Sequence, residues 1–229
     1  MARVAVISFP GTNCDEDVVV AFKETTSLEA EIVWYTEFKP GIYDAVVIPG
    51  GFSYGDWLRA GAIAARTMTM EYVKEDIEKG TPVLGICNGF QILVEAGLLP
   101  GALIYNEHGR FTCKWVKTRI SNPKGPWLKL LRDNDEINMP VAHAEGRYYI
   151  PREEYDKIKT TSPVLYYLPG YNPNGSLYDI AGVGNENGLV FGLMPHPERS
   201  ANKNLSPRGF IGNGYLIFKS LEDSLKRGW

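Results

Sequence analysis

Cysteine and histidine are scarce in this chain, with three of each in 229 residues. Three cysteines without paired spacing suggest neither a disulfide framework nor a zinc site, so no metal is expected. Basic residues are not in excess. Lys and Arg number 24 against 27 Asp and Glu, for a net charge of −3. That balance lacks the footprint of a nucleic-acid partner. No apolar stretch is long enough to span a bilayer. Met1-Ala2-Arg3-Val4-Ala5-Val6-Ile7 runs directly into a strand and is too short for a secretion signal. Repeats, low-complexity tracts and linkers are missing too. The expectation is a protein without membrane or nucleic-acid partners, in a reducing cytoplasmic setting where a reactive thiol survives.

What is present is material for one sizeable core. Hydrophobic residues make up 44% of the chain, which points to a single domain over residues 1–229. Arg3 to Ile7 reads as a first strand. Pro10-Gly11-Thr12-Asn13 reads as a turn, with Asn13 or Asp15 capping a helix through Val18, Val19 and Phe22. Glu31 to Tyr35 and Asp44 to Ile48 are the next strands, the latter nearly all apolar, as a strand covered on both faces should be. Leu58 to Lys79 reads as one long amphipathic helix stopped by Gly80. Thr81 to Ile86 is a fourth strand. The pattern then changes. Arg110 to Ile120 alternates apolar and polar residues, the mark of a half-buried antiparallel strand. Pro163 to Leu168, Asp179 to Val183 and Leu189 to Leu193 add short strands, and a helix from about Gly214 to Leu225 closes the chain. The expected class is α/β: a flavodoxin-like, mostly parallel sheet flanked by helices, with antiparallel strands added in the C-terminal half.

The fourth strand runs into Gly85-Ile86-Cys87-Asn88-Gly89, and Phe90, Ile92, Leu93 and Ala96 follow at helical spacing. This is the G-x-nucleophile-x-G pattern of a nucleophile elbow, with Cys in the Ser position. Glycines on either side let the backbones pass closely and hold the central residue in a strained conformation. A thiol at the head of a helix has its pKa lowered by the helix dipole. A small buried core cysteine is the other reading of the pentapeptide. Pro49-Gly50-Gly51 stands past the carboxyl end of the third strand, where open α/β sheets place their ligands. It reads either as a tight loop or as half of an oxyanion hole, from the N–H of Gly51 with that of Asn88. His196 and Glu198 follow the last strand, in Met194-Pro195-His196-Pro197-Glu198-Arg199. A thiol needs a base, and the base needs an orienting group on its other nitrogen. His196 and Glu198 supply both.

Taken together, these residues carry a resemblance. Pro49-Gly50-Gly51, then Gly-Ile-Cys87-Asn-Gly-Phe-Gln91, then His196-Pro-Glu198 is similar to the class I, triad-type glutamine amidotransferases. Longer blocks span nearly the whole chain: FSYGDWLRAGAIAA, GICNGFQILVEAGLLPGAL, RFTCKWV, AHAEGRYY and MPHPER. They resemble the glutaminase subunits of phosphoribosylformylglycinamidine synthase more than other members of the class. The resemblance implies that Cys87 attacks the side-chain amide of glutamine, that His196, oriented by Glu198, moves the protons, and that Gln91 and Gly50 line the substrate site. It also implies partners. A large synthase subunit, holding the ATP and Mg, would receive the ammonia, and a small third subunit would complete the assembly. No cofactor is expected in this chain, and no G-x-x-x-x-G-K-[ST] loop occurs in it. A glutaminase serving another synthase, a stand-alone cysteine hydrolase and a binding module with a phosphate-cradling Gly loop remain open at this stage.

Other features have plainer expectations. Cys14 reads as a packing or partly exposed thiol, and Cys113 as a packing residue. His143, in the AHAEGRYY block, reads as part of a structural or docking loop. Asn106 to Trp115 either closes over the site or faces a partner. Asn172-Pro173-Asn174-Gly175 reads as a turn.

Overall fold

A computed structural model describes the backbone of residues 1–229 and every side chain except that of Pro163. The first half runs β1 (Arg3–Ser8), α1 (Asp15–Thr25), β2 (Glu29–Trp34), β3 (Ala45–Ile48), α2 (Met68–Glu78), β4 (Val83–Ile86) and α3 (Asn88–Glu95). The second runs β5 (Ala102–Ile104), β6 (Thr112–Ile120), β7 (Glu136–His143), β8 (Arg147–Tyr149), α4 (Arg152–Ile158), β9 (Pro163–Tyr167), β10 (Ile180–Gly184), β11 (Val190–Leu193) and α5 (Tyr215–Arg227).

Nine strands form one sheet in the order β2-β1-β3-β4-β11-β10-β9-β6-β7, and β5 pairs with β8 apart from it. The pairings from β2 through β11 are parallel. Those from β11 through β7 are antiparallel. The mixed α/β class expected from the pattern is the one observed. β3 (AVVI) and β4 (VLGI) are buried at every position, as central parallel strands covered on both faces must be. Helices complete the layers. Phe22 of α1 meets Phe218 of α5 edge to face, with ring centroids 4.8 Å apart. On α3 every residue from Asn88 to Val94 is buried. Gly192 of β11 leaves room for that helix: a Cβ there would lie 2.2 Å from the Phe90 ring.

Several expectations need correction. The long helix over Leu58–Lys79 is only α2, eleven residues. Ahead of it Tyr54, Asp56, Leu58, Gly55 and Gly61 all take positive φ, which no α-helix accommodates. Gly61 sits so close to α3 that a Cβ would lie 2.7 Å from the Ile92 nitrogen. Tertiary packing therefore overrides the periodicity. Neither Asn13 nor Asp15 caps α1. Cys14 holds the cap position without a side-chain bond, and Asp15 accepts the Ser8 hydroxyl at 2.7 Å. Cys113 is exposed, not packed. β5, β7, β8 and α4 lie outside the expected elements. β7 was hidden by Pro140, which reads as a strand breaker but is tolerated because β7 is an edge.

Candidate active site

Cys87 joins β4 to α3 with φ 51° and ψ −105°, a strained conformation for a residue bearing a side chain. The glycines around it are required by space. A Cβ on Gly89 would lie 1.8 Å from the Ile48 carbonyl oxygen, and one on Gly85 would lie 2.7 Å from the Gly89 backbone. The Cys87 N–H donates to Leu193 O at 2.8 Å, tying the elbow to β11. The thiol, 5% exposed, lies 3.7 Å from Ala142 O of β7.

β11 delivers the imidazole. The His196 N–H donates to Pro140 O at 2.8 Å, again on β7. Its Nδ1 lies 2.5 Å from Glu198 Oε1, and both residues are buried. Burial opposes the imidazolium, but the Glu198 carboxylate and the thiols of Cys87 and Cys14 outweigh it. His196 is held well above its ordinary pKa. Among the described residues its Nε2 has no hydrogen-bond partner.

Gly50 allows these groups to converge. A Cβ there would stand 2.8 Å from His196 Cε1, 3.1 Å from Cys14 Sγ and 3.4 Å from Cys87 Cβ. Gly51, at φ 152°, bridges to Thr12 and lines the space beside Cys87. The Asn88 side chain accepts from Ser53 N–H at 3.1 Å and donates to Gln91 Oε1 at 2.9 Å. Gln91 in turn donates to Glu145 O at 2.5 Å. Both ends of its amide therefore have protein partners, although it also lines the cavity beside Cys87. Thus Cys87, His196, Glu198, Gly50, Gly51, Asn88 and Gln91, all singled out in the sequence, meet in one place.

The chain matches a family model described as a CobB/CobQ-like glutamine amidotransferase domain over residues 1–218. It belongs to that family. The chain is 48% identical to the phosphoribosylformylglycinamidine synthase subunit PurQ of Pyrococcus horikoshii, over 99% of this chain and 100% of the relative. It is 52% identical to the protein of the same name from Pyrobaculum aerophilum, over 98% and 100%. A chain in the structure of PurLQS from Thermotoga maritima superposes with a TM-score of 0.86 at 40% identity, covering 98% of this chain and 99% of that one. The protein is a glutamine amidotransferase enzyme.

Several residues around this amidotransferase site carried no signal in the sequence. Cys14 has no histidine near it in the chain, yet its Sγ accepts from Arg199 Nη2 at 3.1 Å and it lines a second cavity with Cys87, Cys113 and His196. All three cysteines therefore border one space. Phe111 lines the same cavity, so the segment from Asn106 to Trp115 flanks the site. Cys14, His196 and Glu198 hold potential metal-ligand atoms within 4.8 Å of one another. Glu198, however, is bound to Nδ1 of the ring, so joining Nε2 and that carboxylate on one ion requires breaking their contact. The Asn172–Gly175 stretch is a side-chain-stabilised turn, with Asn172 Oδ1 accepting three successive backbone N–H groups.

His143 lines the first cavity and is 3% exposed. Burial lowers its pKa to about 3, with His196 pushing the same way. The unfolded chain takes up this proton near pH 6.5 and the folded chain only near 3, so stability falls as the pH drops through that window. His143 alone contributes a loss of about 2 kcal/mol between pH 7 and pH 5, opposed in the whole protein by the raised pKa values of His196 and Asp56. Urea midpoints of the wild type and of His143→Gln at the two pH values isolate it: the variant should fare about 2 kcal/mol better than the wild type on going to pH 5.

Proposed function

We propose that this chain is the glutamine-hydrolysing subunit of phosphoribosylformylglycinamidine synthase. One observation carries the reading: a strained Cys87 at a helix head shares a buried space with a His196–Glu198 pair, in a chain half identical to PurQ proteins along its length. Cys87, its thiol proton passed to His196, attacks the side-chain carbonyl carbon of glutamine. Negative charge on the oxygen is met by the N–H groups of Gly51 and Asn88. His196 gives its proton to the departing nitrogen, and ammonia leaves a glutamyl thioester. Water, deprotonated by His196, then hydrolyses the thioester to glutamate and restores the thiol. Glu198 holds the Nδ1 proton so that Nε2 faces the chemistry.

Ammonia then passes to a synthase subunit that uses ATP and Mg to convert formylglycinamide ribonucleotide to formylglycinamidine ribonucleotide. A small third subunit belongs to the same complex. We assign this chain no cofactor, no metal, no nucleic acid and no membrane, and place it in the cytoplasm as a single domain. No described helix is long and apolar enough to cross a bilayer.

The test is glutamate release from glutamine by the purified chain, alone and with the synthase subunits, ATP and formylglycinamide ribonucleotide. Strong stimulation by the assembly is expected. A rate indifferent to those partners would assign the chain to another synthase. Within the assembly, Glu198→Gln should lower kcat on the order of 10²- to 10⁴-fold. His196→Ala should cost at least about tenfold more, because the first misorients the base and the second removes it.

A further inference from the structure

Glutamine hydrolysis leaves one buried nucleophile beside Cys87 unused, the thiol of Cys14. It is 2% exposed and stands at the head of α1. Its backbone N–H donates to Gly50 O at 3.2 Å, which seats it on the loop that follows β3. β3 pairs in parallel with β4, the strand that leads into Cys87. Both cysteines therefore converge on Gly50. The point where a Cβ on Gly50 would stand lies 3.1 Å from Cys14 Sγ and 3.4 Å from Cys87 Cβ. The Cys14 sulfur and the Cys87 Cβ are thus separated by less than twice the longer of those distances, and residue 50 puts no side chain between them.

The surroundings prepare both sulfurs for thiol chemistry. Arg199 Nη2 donates to Cys14 Sγ at 3.1 Å, and Asp17 holds Arg199 Nε at 3.5 Å. The Cys14 S–H turns to Asn13 Oδ1 at 3.3 Å. A sulfur that gives up its proton there meets a guanidinium already in place. Cys87 has His196 beside it to take its proton. Both cysteines line the second cavity, of about 300 Å³, which a small uncharged oxidant can enter. Cys113 lines it too but is itself exposed.

We propose that Cys14 and Cys87 are a redox pair: a hydroperoxide oxidises Cys87, and Cys14 resolves the product as an intramolecular disulfide across Gly50. The chemistry balances in two steps. The Cys87 thiolate attacks one oxygen of hydrogen peroxide, the O–O bond breaks, hydroxide leaves, and Cys87 becomes a sulfenic acid. The Cys14 sulfur then attacks the Cys87 sulfur. The S–O bond breaks, water leaves with the Cys14 proton, and the S–S bond forms. Two electrons pass from the thiols to the peroxide. Glutamine hydrolysis stops, and a thiol reductant restores it. Cys14 thereby spares Cys87 from sulfinic acid, which thiols do not reverse. The pair rests on the nucleophile reading of Cys87 above.

The assembled synthase is treated with hydrogen peroxide, quenched with catalase, and assayed before and after dithiothreitol. The readout is the ratio of glutamine-driven to ammonia-driven synthesis, which cancels damage to the synthase subunits. Peroxide should lower that ratio on the order of tenfold or more, and dithiothreitol should restore it. Non-reducing peptide maps should show Cys14 joined to Cys87. In Cys14→Ser, judged against its own untreated ratio, the loss should persist after dithiothreitol, with Cys87 found as sulfinic acid. Cys113→Ser should behave as the wild type does. A ratio that does not move, a wild-type map without the Cys14–Cys87 link, or recovery of Cys14→Ser equal to that of the wild type overturns the pair. The wild-type map decides alone if the serine variant does not fold. It also reads the pair whatever the substrate, so an untreated assembly that releases no glutamate removes the glutaminase reading separately.

Discussion

Cys87→Ala should abolish glutamine-dependent synthesis by the assembled enzyme, by at least ~10⁴-fold, while synthesis from added ammonia continues at the wild-type rate. The two activities separate because the substitution removes one atom. Alanine keeps the Cβ of Cys87 and therefore the packing of the elbow against Gly50. The φ of 51° strains alanine no more than cysteine. The sulfur makes one hydrogen bond, a long one to Ala142 O at 3.7 Å, so its loss costs little stability. The fold and its docking to a synthase then survive with the nucleophile gone. Steady-state assays with glutamine and with ammonium salts measure both rates. Glutamine-driven turnover that persists in the variant would sink the nucleophile assignment.

The largest structural effect should come from Gly89→Ala, a change of one methyl group. Its Cβ would stand 1.8 Å from the Ile48 carbonyl oxygen and 2.6 Å from the carbonyl carbon, both in the backbone of central strand β3. No side chain can swing aside there. Either α3 lifts from the sheet or β3 shifts, and β3 is buried throughout and α3 from Asn88 to Val94. The expected cost is on the order of 4 kcal/mol or more. Chemical denaturation should register it as a midpoint shift, and soluble yield should drop. Gly97→Ala makes the control. Gly97 has φ 73° but open space around it, so only backbone strain of about 1 kcal/mol is expected.

Much of this site was legible in the sequence because its chemistry is local. The elbow needs glycine two residues before and after Cys87, and such spacing survives in one dimension. His196 and Glu198 are likewise two residues apart. What stayed hidden is whatever long-range packing assembles. Cys14 meets His196 across most of the chain, and no periodicity encodes that contact. Asp56 stands just ahead of a stretch whose hydrophobic spacing mimics a helix, while Gly61, at positive φ within that stretch, packs against α3. His143 sits on β7, whose Pro140 disguises it as a loop. Its tautomer depends on Asn106, 37 residues away. The parallel half was readable since its inner strands β1, β3, β4 and β11 are short apolar runs. The antiparallel half was read less well because its edge strand carries Pro140 and because β5 and β8 are only three residues long.

The edge strand β7 has a consequence for how activity arises during folding. It lies at the far end of the nine-stranded order, yet its carbonyls at Pro140 and Ala142 reach the His196 N–H and the Cys87 thiol. The sheet margin therefore curls back over the centre. The elbow's glycine packing reaches back only to Ile48 of β3, while its ties to Leu193 of β11 and to β7 span long stretches of chain, and contacts that span long loops close late. A nascent or half-folded chain would thus carry the thiol without the base held beside it. Hydrolytic competence would come only with the last docking step, so an incomplete molecule would not squander the cell's amide nitrogen.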